Sequence, residues 1–278
     1  MERPFISFLT DFGLDGAAAV CRGVMLSICR DAQIIDISHT LRKYAIDDGA
    51  YLLSLSLPYM PVGVHVAVVD PGVGTARRPI ALRTGRGDVL IGPDNGLLPG
   101  PAEGLGGVVE ARVLENRDYW LPGTVSSTFH GRDIFSPVAA HLAAGDATYE
   151  SLGPSVDLDS LARLEPQRPT IREGVLESHV TYVDSFGNLR LVGGAEELVA
   201  ALGDLQGGEP LDVELAAADE AGAHAERMHY ANTFGEVPAG ASLVYVDSSG
   251  NIALADNQGN IAGRLATRAG RRVRISRS

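Results

Sequence analysis

The chain has 278 residues, 45% of them hydrophobic, and a formal net charge of −12 at pH 7. That length suits one large domain or two moderate ones. The acidic balance excludes a nucleic-acid partner, which needs a basic surface, and no apolar run approaches the roughly 20 residues that span a bilayer.

The first half alternates strand and helix signals. Met1-Glu2-Arg3-Pro4 leads straight into a strand at 4–9, without the basic region, apolar core and cleavage site of a secretion signal. Residues 14–30 carry an apolar helical face (Ala17, Val20, Cys21, Val24, Met25, Ile28). Cys21 and Cys29 on that helix differ by a rise of about 12 Å, beyond disulfide reach. Two free thiols point to a reducing cytoplasm. A strand at 34–37, a helix at 46–57 stopped by Pro58, and an apolar strand at 64–69 follow. This β-α-β-α-β order predicts a mostly parallel, Rossmann-like sheet with right-handed crossovers. Further strands are expected at 79–83, 89–91 and 108–113, and a helix at 131–144. Residues 145–169, rich in Gly, Pro, Ser and Asp, read as a linker. Beyond them short strands at 172–183, 188–192, 210–216, 223–230, 241–247 and 250–255 predict a small β-barrel, interrupted by one helix at about 194–202. The expected domains are therefore 1–168 (α/β) and 169–278 (barrel). The basic end, 271–278, reads as a solvated tail.

Chemistry concentrates on loops. Asp70 ends the apolar strand and Pro71-Gly72-Val73-Gly74 turns away from it. A carboxylate there sits at the edge where open α/β sheets bind ligands. Arg77 follows on the same loop, and His130 precedes a helix, with Gly131 beside it. Taken singly, these three also read as a turn former, a surface cation and a hydrogen-bonded loop histidine. Asp11, between a strand and a helix, reads either as a helix N-cap or as a carboxylate able to accept two ribose hydroxyls. Asp184-Ser185-Phe186-Gly187-Asn188 has the residues of a hairpin turn. Gly72-x-Gly74 begins a dinucleotide fingerprint that fails at Arg77, where a third glycine would stand.

The segments F-L-T-D-F-G (Phe8 to Gly13), V-V-D-P-G-V-G-T-A-R-R (Val68 to Arg78), T-F-H-G-R-D (Thr128 to Asp133), Y-V-D-S-F-G-N-L (Tyr182 to Leu189) and D-S-S-G-N-I-A-L-A-D-N-Q-G-N (Asp247 to Asn260) together resemble the S-adenosyl-L-methionine hydroxide adenosyltransferases. These are hydrolytic relatives of the fluorinating and chlorinating enzymes, and the resemblance spans nearly the whole chain in order. It implies an N-terminal α/β domain, a C-terminal β-barrel, and a homotrimer with active sites shared between subunits. It implies cofactor-free hydrolysis of S-adenosyl-L-methionine to adenosine and L-methionine. Asp70, Arg77 and His130 match the family's catalytic triad: Arg77 would stabilise developing hydroxide, His130 would accept or relay the proton, and Asp70 would hold both. Asp11 would bind the ribose, Asp184 the methionine amino group, Phe186 and Asn188 the adenine. Ser248 and Ser249 fall where the methionine carboxylate is held, and Asn257 and Gln258 where backbone contacts adenine. Fluorinating relatives carry Ser-Arg where this chain has Ser248-Ser249, which puts carboxylate recognition in doubt.

Other readings stay open on residues alone. A halogenase is the alternative within the family, although halogenating relatives carry aromatic or small groups in place of Asp70 and His130. A metal-dependent hydrolase of a nucleotide-like substrate would draw on Asp11, Asp36, His39, Asp70, Asp94, His130 and Asp133, but none shows a diagnostic ligand spacing, so no metal is expected. A non-catalytic module sensing S-adenosyl-L-methionine is the remaining alternative.

Overall fold

The computed structural model describes residues 3–218 and 222–278. The chain divides into two compact units, 1–165 and 166–278. In the first, strands β1 (Phe5–Thr10), β2 (Gln33–Ser38), β3 (Val64–Val68), β4 (Pro79–Thr84), β5 (Val89–Pro93) and β6 (Val108–Val113) form one sheet in the order β2-β1-β3-β5-β4-β6. Helices α1 (Ala17–Ile28), α2 (Ile46–Ser56), α3 (Pro99–Glu103) and α4 (Ser136–Ala144) accompany it. The β2–β1, β1–β3 and β3–β5 pairs are parallel, while β5–β4 and β4–β6 are antiparallel. The sheet is thus mixed, not the mostly parallel Rossmann-like sheet expected. The physical reason lies between Thr84 and Val89: four residues are too few for a crossover helix, so β4 and β5 must form a hairpin.

β1 and β3 are buried along their whole length, as strands covered on both faces must be. Two apolar clusters lie against the sheet. One gathers Phe8, Met25, Val66, Phe135 and Val138, the other Leu9, Leu53, Val69, Leu90 and Leu97. The stretch read as a linker largely belongs to this unit. Tyr149 and Leu152 are buried, and the Tyr149 hydroxyl donates to the carbonyls of Ala81 and Glu110, each at 3.0 Å.

At the N-terminal edge of the sheet lies a largely buried polar cluster that the sequence did not reveal. His65 on β3 contacts Ser7 Oγ through Nδ1 (2.8 Å) and Asp88 Oδ1 through Nε2 (2.9 Å). Arg86 donates twice to Asp88, at 2.8 and 2.9 Å, and also caps the carbonyls of Leu57 and Pro58. Ser7 and Asp88 are fully inaccessible and His65 is 1% exposed. Burial works to raise the Asp88 carboxyl, but hydrogen bonds from His65 and Arg86 outweigh it and hold the group well below the usual carboxylate range.

The second unit comprises β7 (Thr170–Arg172), β8 (Val175–Val183), β9 (Leu189–Gly194), β10 (Pro210–Leu215), β11 (His224–Tyr230), β12 (Ser242–Val246), β13 (Asn251–Asp256) and β14 (Arg272–Arg277), with helices α5 (Ala195–Leu202) and α6 (Ile261–Arg264). Its order is β14-β10-β11-β12-β13-β9-β8, and β14 also pairs with β8, closing a seven-stranded barrel with β7 outside on β8. The closing strand corrects the reading of 271–278 as a solvated tail. Val273 and Ile275 are buried at alternate positions, and Arg271, 3% exposed, donates to the carbonyls of Ala216, Leu265 and Gly222. The period-two pattern was there, but the density of arginine hid it. Among the described residues, no helix is long and apolar enough to cross a membrane.

Candidate active site

The loop leaving β3 is built to bring a carboxylate and a guanidinium together. Gly74 adopts φ 76°, and a Cβ there would lie 2.3 Å from the Ser127 carbonyl oxygen. Only glycine lets this loop rest on the segment before His130. That close packing also accounts for the dinucleotide-like glycines, since the backbone is pressed against protein. Arg77 Nε donates to both oxygens of Asp70, at 3.1 and 3.0 Å, and Nη2 donates to the same carboxylate. The Arg77 and Asp70 side chains are 9% and 5% exposed. Arg77 also stands 5.2 Å over the Phe135 ring, a second support for its cation.

Arg77 Nη2 lies 2.8 Å from His130 Nδ1. Arginine has donors only, so Nδ1 accepts, and a neutral His130 carries its proton on Nε2. The guanidinium therefore stands between Asp70 and His130, and no Asp70–His130 hydrogen bond is part of the cluster. Burial and the nearby Arg77 cation lower the His130 pKa, with Asp70 and Asp133 acting in the opposite direction. His130 begins a π-helical turn, Gly131–Phe135, that runs into α4, a distortion common at functional sites. At Gly131 a Cβ would lie 2.8 Å from the Phe12 ring, so the glycine admits that ring.

Asp11 joins the same cleft. It is 7% exposed, and α1 begins at Ala17 with Gly16 at its N-cap, so Asp11 is not a helix cap. Asp11 Oδ2 accepts from the Tyr44 N–H at 2.8 Å, and Lys43 Nζ donates to the Asp11 carbonyl at 2.7 Å. Tyr44 holds a left-handed φ of 67°, which costs a non-glycine residue about 1–2 kcal/mol. The cleft these loops enclose measures about 490 Å³ and is lined by Asp11, Asp70, His130, Lys43, Tyr44 and Phe129 among others, within the size range of small-molecule sites. Sequence reasoning missed Lys43 and Tyr44, whose stretch carries no motif. A hollow of about 520 Å³ on the barrel holds none of the candidate residues. Its Arg274 and Glu214 pair with each other at 3.1 Å.

The acidic residues considered for a metal do not converge. Asp36 pairs with Arg22, Asp70 with Arg77, Asp94 with Arg78 and Asp133 with Arg132. Among the described residues, no three of His, Cys, Asp or Glu form a group that could hold a metal ion.

In the second unit Asp184 organises the β8–β9 hairpin turn. Its Oδ1 accepts from the N–H groups of Phe186 (2.9 Å) and Asn188 (2.8 Å), and Oδ2 accepts from Asn188 Nδ2 (2.8 Å). Phe186 projects outward, 74% exposed. Gly187 packs so closely on Asn260 that a Cβ would lie 2.1 Å from its Oδ1, which brings this turn beside the segment carrying Asn257 and Gln258. Asn257 is 9% exposed and donates to the Val237 carbonyl at 2.8 Å. Gln258 is exposed with φ 57°.

Ser248 and Ser249 sit on the β12–β13 turn. Leu189 pairs with Leu254 whereas Asn251 pairs with Gly194, so this turn lies at the other end of the β9–β13 pair. It repeats the first: Tyr182-Val183-Asp184-Ser185 and Tyr245-Val246-Asp247-Ser248, each with Gly-Asn at the same offset. Asp247 Oδ1 accepts from Ser249 (2.8 Å) and Asn251 (2.9 Å) as Asp184 does in its own turn. Its Oδ2 is bound by Arg190, a residue that sequence reasoning passed over. Burial, with the charges of Asp184 and Asp247, pushes the Tyr245 phenol up to about 12.

Comparison with known proteins decides the family. The S-adenosyl-L-methionine hydroxide adenosyltransferase N-terminal domain model matches residues 6–153, and the C-terminal domain model matches 178–274. The chain belongs to this family. An "(R)-S-adenosyl-L-methionine hydrolase" of Salinispora tropica is 45% identical over 98% of both chains. One of the same name from Thermus thermophilus is 38% identical over 98% of this chain and 99% of its own. A fluorinase of Actinopolyspora mzabensis is 29% identical over 100% of this chain and 98% of its own. Among solved structures, a conserved protein of Thermotoga maritima, 33% identical, superposes with a TM-score of 0.86 over 98% of this chain and all of its own.

Proposed function

We propose that this member of the hydroxide adenosyltransferase family hydrolyses S-adenosyl-L-methionine to adenosine and L-methionine. The observation that carries the reading is the Asp70–Arg77–His130 chain opening on a cleft of about 490 Å³, in a protein 45% identical to a relative bearing that hydrolase name.

In this mechanism the water oxygen attacks the ribose 5′ carbon in line with the methionine sulfur. The C5′–O bond forms, the C5′–S bond breaks, and its electron pair returns to sulfur. The sulfonium leaves as a neutral thioether and needs no acid. The difficulty is the nucleophile, because bulk water has a pKa of about 15.7. Arg77 supplies positive charge beside the oxygen, and Asp70 fixes Arg77 through its paired hydrogen bonds. With Nδ1 committed to Arg77, His130 meets the oxygen as an Nε2–H donor. It stabilises hydroxide by donating, and the proton passes to solvent. Asp11 binds the ribose hydroxyls. Asp184 takes the methionine amino group, Phe186 and Asn188 the adenine, Ser248 and Ser249 the carboxylate, and the Asn257-Gln258 backbone the adenine edge. A cofactor-free cytoplasmic enzyme, with the homotrimer and shared sites of its family, completes the proposal.

Incubation of the purified protein with S-adenosyl-L-methionine in ¹⁸O-water, with and without EDTA, tests it. Adenosine labelled at the 5′ oxygen and formed equally in both supports direct attack by water. A halodeoxyadenosine product without adenosine, or loss of turnover with EDTA, overturns it.

A further inference from the structure

The F-H-G-R-D segment contains a buried carboxylate that the mechanism above does not use. Asp133 is 2% exposed, yet it carries four hydrogen bonds. Oδ2 accepts from the Ser126 N–H at 2.8 Å and from Arg132 Nη2 at 3.1 Å, Oδ1 accepts from Arg132 Nε at 2.6 Å, and the Asp133 carbonyl accepts from the Leu121 N–H at 2.9 Å. One residue therefore fastens both ends of the 121–126 loop to the π-helical turn. From Ser126 the constraint passes toward the cleft. Ser126 Oγ accepts from the Thr128 N–H at 3.2 Å, and Thr128, Phe129 and His130 line the cleft in succession. It also passes sideways, since the Ser127 carbonyl is the wall against which Gly74 packs, on the loop that carries Asp70 and Arg77.

We infer that Asp133 is a positioning residue for His130, holding the 126–130 segment against the Asp70–Arg77 loop and setting the electrostatic balance at the imidazole. The inference rests on the role of His130 proposed above. Three charges act on that ring: Arg77 and Asp70 from the loop after β3, and Asp133 from its own turn. Asp11 and Lys43 face the same cleft from the two loops opposite. Burial works to raise the Asp133 carboxyl, but hydrogen bonds from Arg132 and Ser126 outweigh it and hold the group below its ordinary range, so it stays ionised. Its negative charge favours the imidazolium and so opposes burial and Arg77. Protonation of His130 places a hydrogen on Nδ1, which must displace Arg77. The competent ring is therefore neutral, and turnover falls on the acid side of the His130 pKa.

The consequence separates geometry from charge. Asp133→Asn keeps an oxygen for the Ser126 N–H and removes the charge; Asp133→Ala removes both. On the full-length protein with S-adenosyl-L-methionine, Asp133→Ala should lower kcat by about tenfold to a hundredfold with KM within about twofold. Asp133→Asn should recover most of that loss. It should also move the acid limb of the kcat–pH profile to lower pH by roughly half a unit, because the neutral ring then persists further into acid. A fold-only role predicts something different: both variants lose thermal stability and kcat while the acid limb stays in place. That result, or an Asp133→Ala profile overlying the wild type, overturns the inference. Should Asp133→Ala fail to fold, the acid limb of Asp133→Asn alone decides. His130→Ala is the control. Wild-type turnover in it overturns the catalytic reading itself, whereas its inactivity with an unmoved Asp133→Asn limb overturns only the inference.

Discussion

Strand β3 has two clusters of the same residue types at its two ends, and they do opposite things. At its start His65 and Arg86 both meet Asp88; just past its end Arg77 meets both Asp70 and His130. His65 and Asp70 are five residues apart, about 17 Å along an extended strand. In the first cluster histidine and arginine both turn to the carboxylate, and the carboxylate and imidazole are shut off from water, only Arg86 reaching the surface. In the second the arginine stands between carboxylate and histidine, burial and then that cation lower the histidine pKa, and one ring nitrogen is left for a cleft. Residue identity alone does not make a site. The order of partners and the access of solvent do, and only the second cluster has a place for a substrate.

Substitution should separate the two clusters cleanly. Asp88→Ala leaves the buried His65 and the partly exposed Arg86 without their shared partner, and loss of one member of a fully buried pair typically costs about 3–5 kcal/mol, the upper bound here. Chemical denaturation should register that loss, while kcat per folded molecule stays near wild type. A stable Asp88→Ala protein would mean that the cluster contributes little.

Asp70→Asn, Arg77→Ala and His130→Ala should do the reverse, lowering kcat by about two orders of magnitude or more with little change in binding by calorimetry. The donor role given to His130 sharpens this prediction. Gln can donate from its amide but cannot take up a proton, so His130→Gln should turn over about tenfold faster than His130→Ala. Equal inactivity in both would restore the imidazole as a base.

The smallest expected effect lies in the barrel, far from this contrast in type. Burial works to raise Glu226, but hydrogen bonds from Arg264, Ser242 and His224 hold it at about 2. A depressed folded-state pKa gives stability that is present above the ordinary carboxylate value near ~4.3 and lost as pH falls toward 2. Glu226→Gln should therefore flatten the acid slope of thermal stability across that window, with the mutant less stable than wild type near pH 7 and the difference vanishing toward pH 2. An unaltered acid slope would show that the Arg264 cluster does not couple to folding.

Much of this was legible along the chain. The apolar run into Asp70, the helical faces of α1 and α4, and the D-S-x-G-N turns are local patterns, because side-chain periodicity and turn chemistry act over a few neighbours. The five motifs also pointed to the family. What sequence could not supply were facts that depend on separate segments meeting. The short 85–88 link does imply a β4–β5 hairpin, but nothing in the sequence said that β5 rather than β4 pairs with β3, or that an arginine-rich end closes the barrel as β14. Nor did it reveal that Arg77 lies between Asp70 and His130, or that Asp133 staples the loop before that histidine. Hydrogen bonds across 53 positions, as from Arg77 to His130, are set by how strands and loops pack. The tautomer of a ring, the charge of a carboxylate and the opening of a cleft are properties of that packing, so they were decided only in the folded chain.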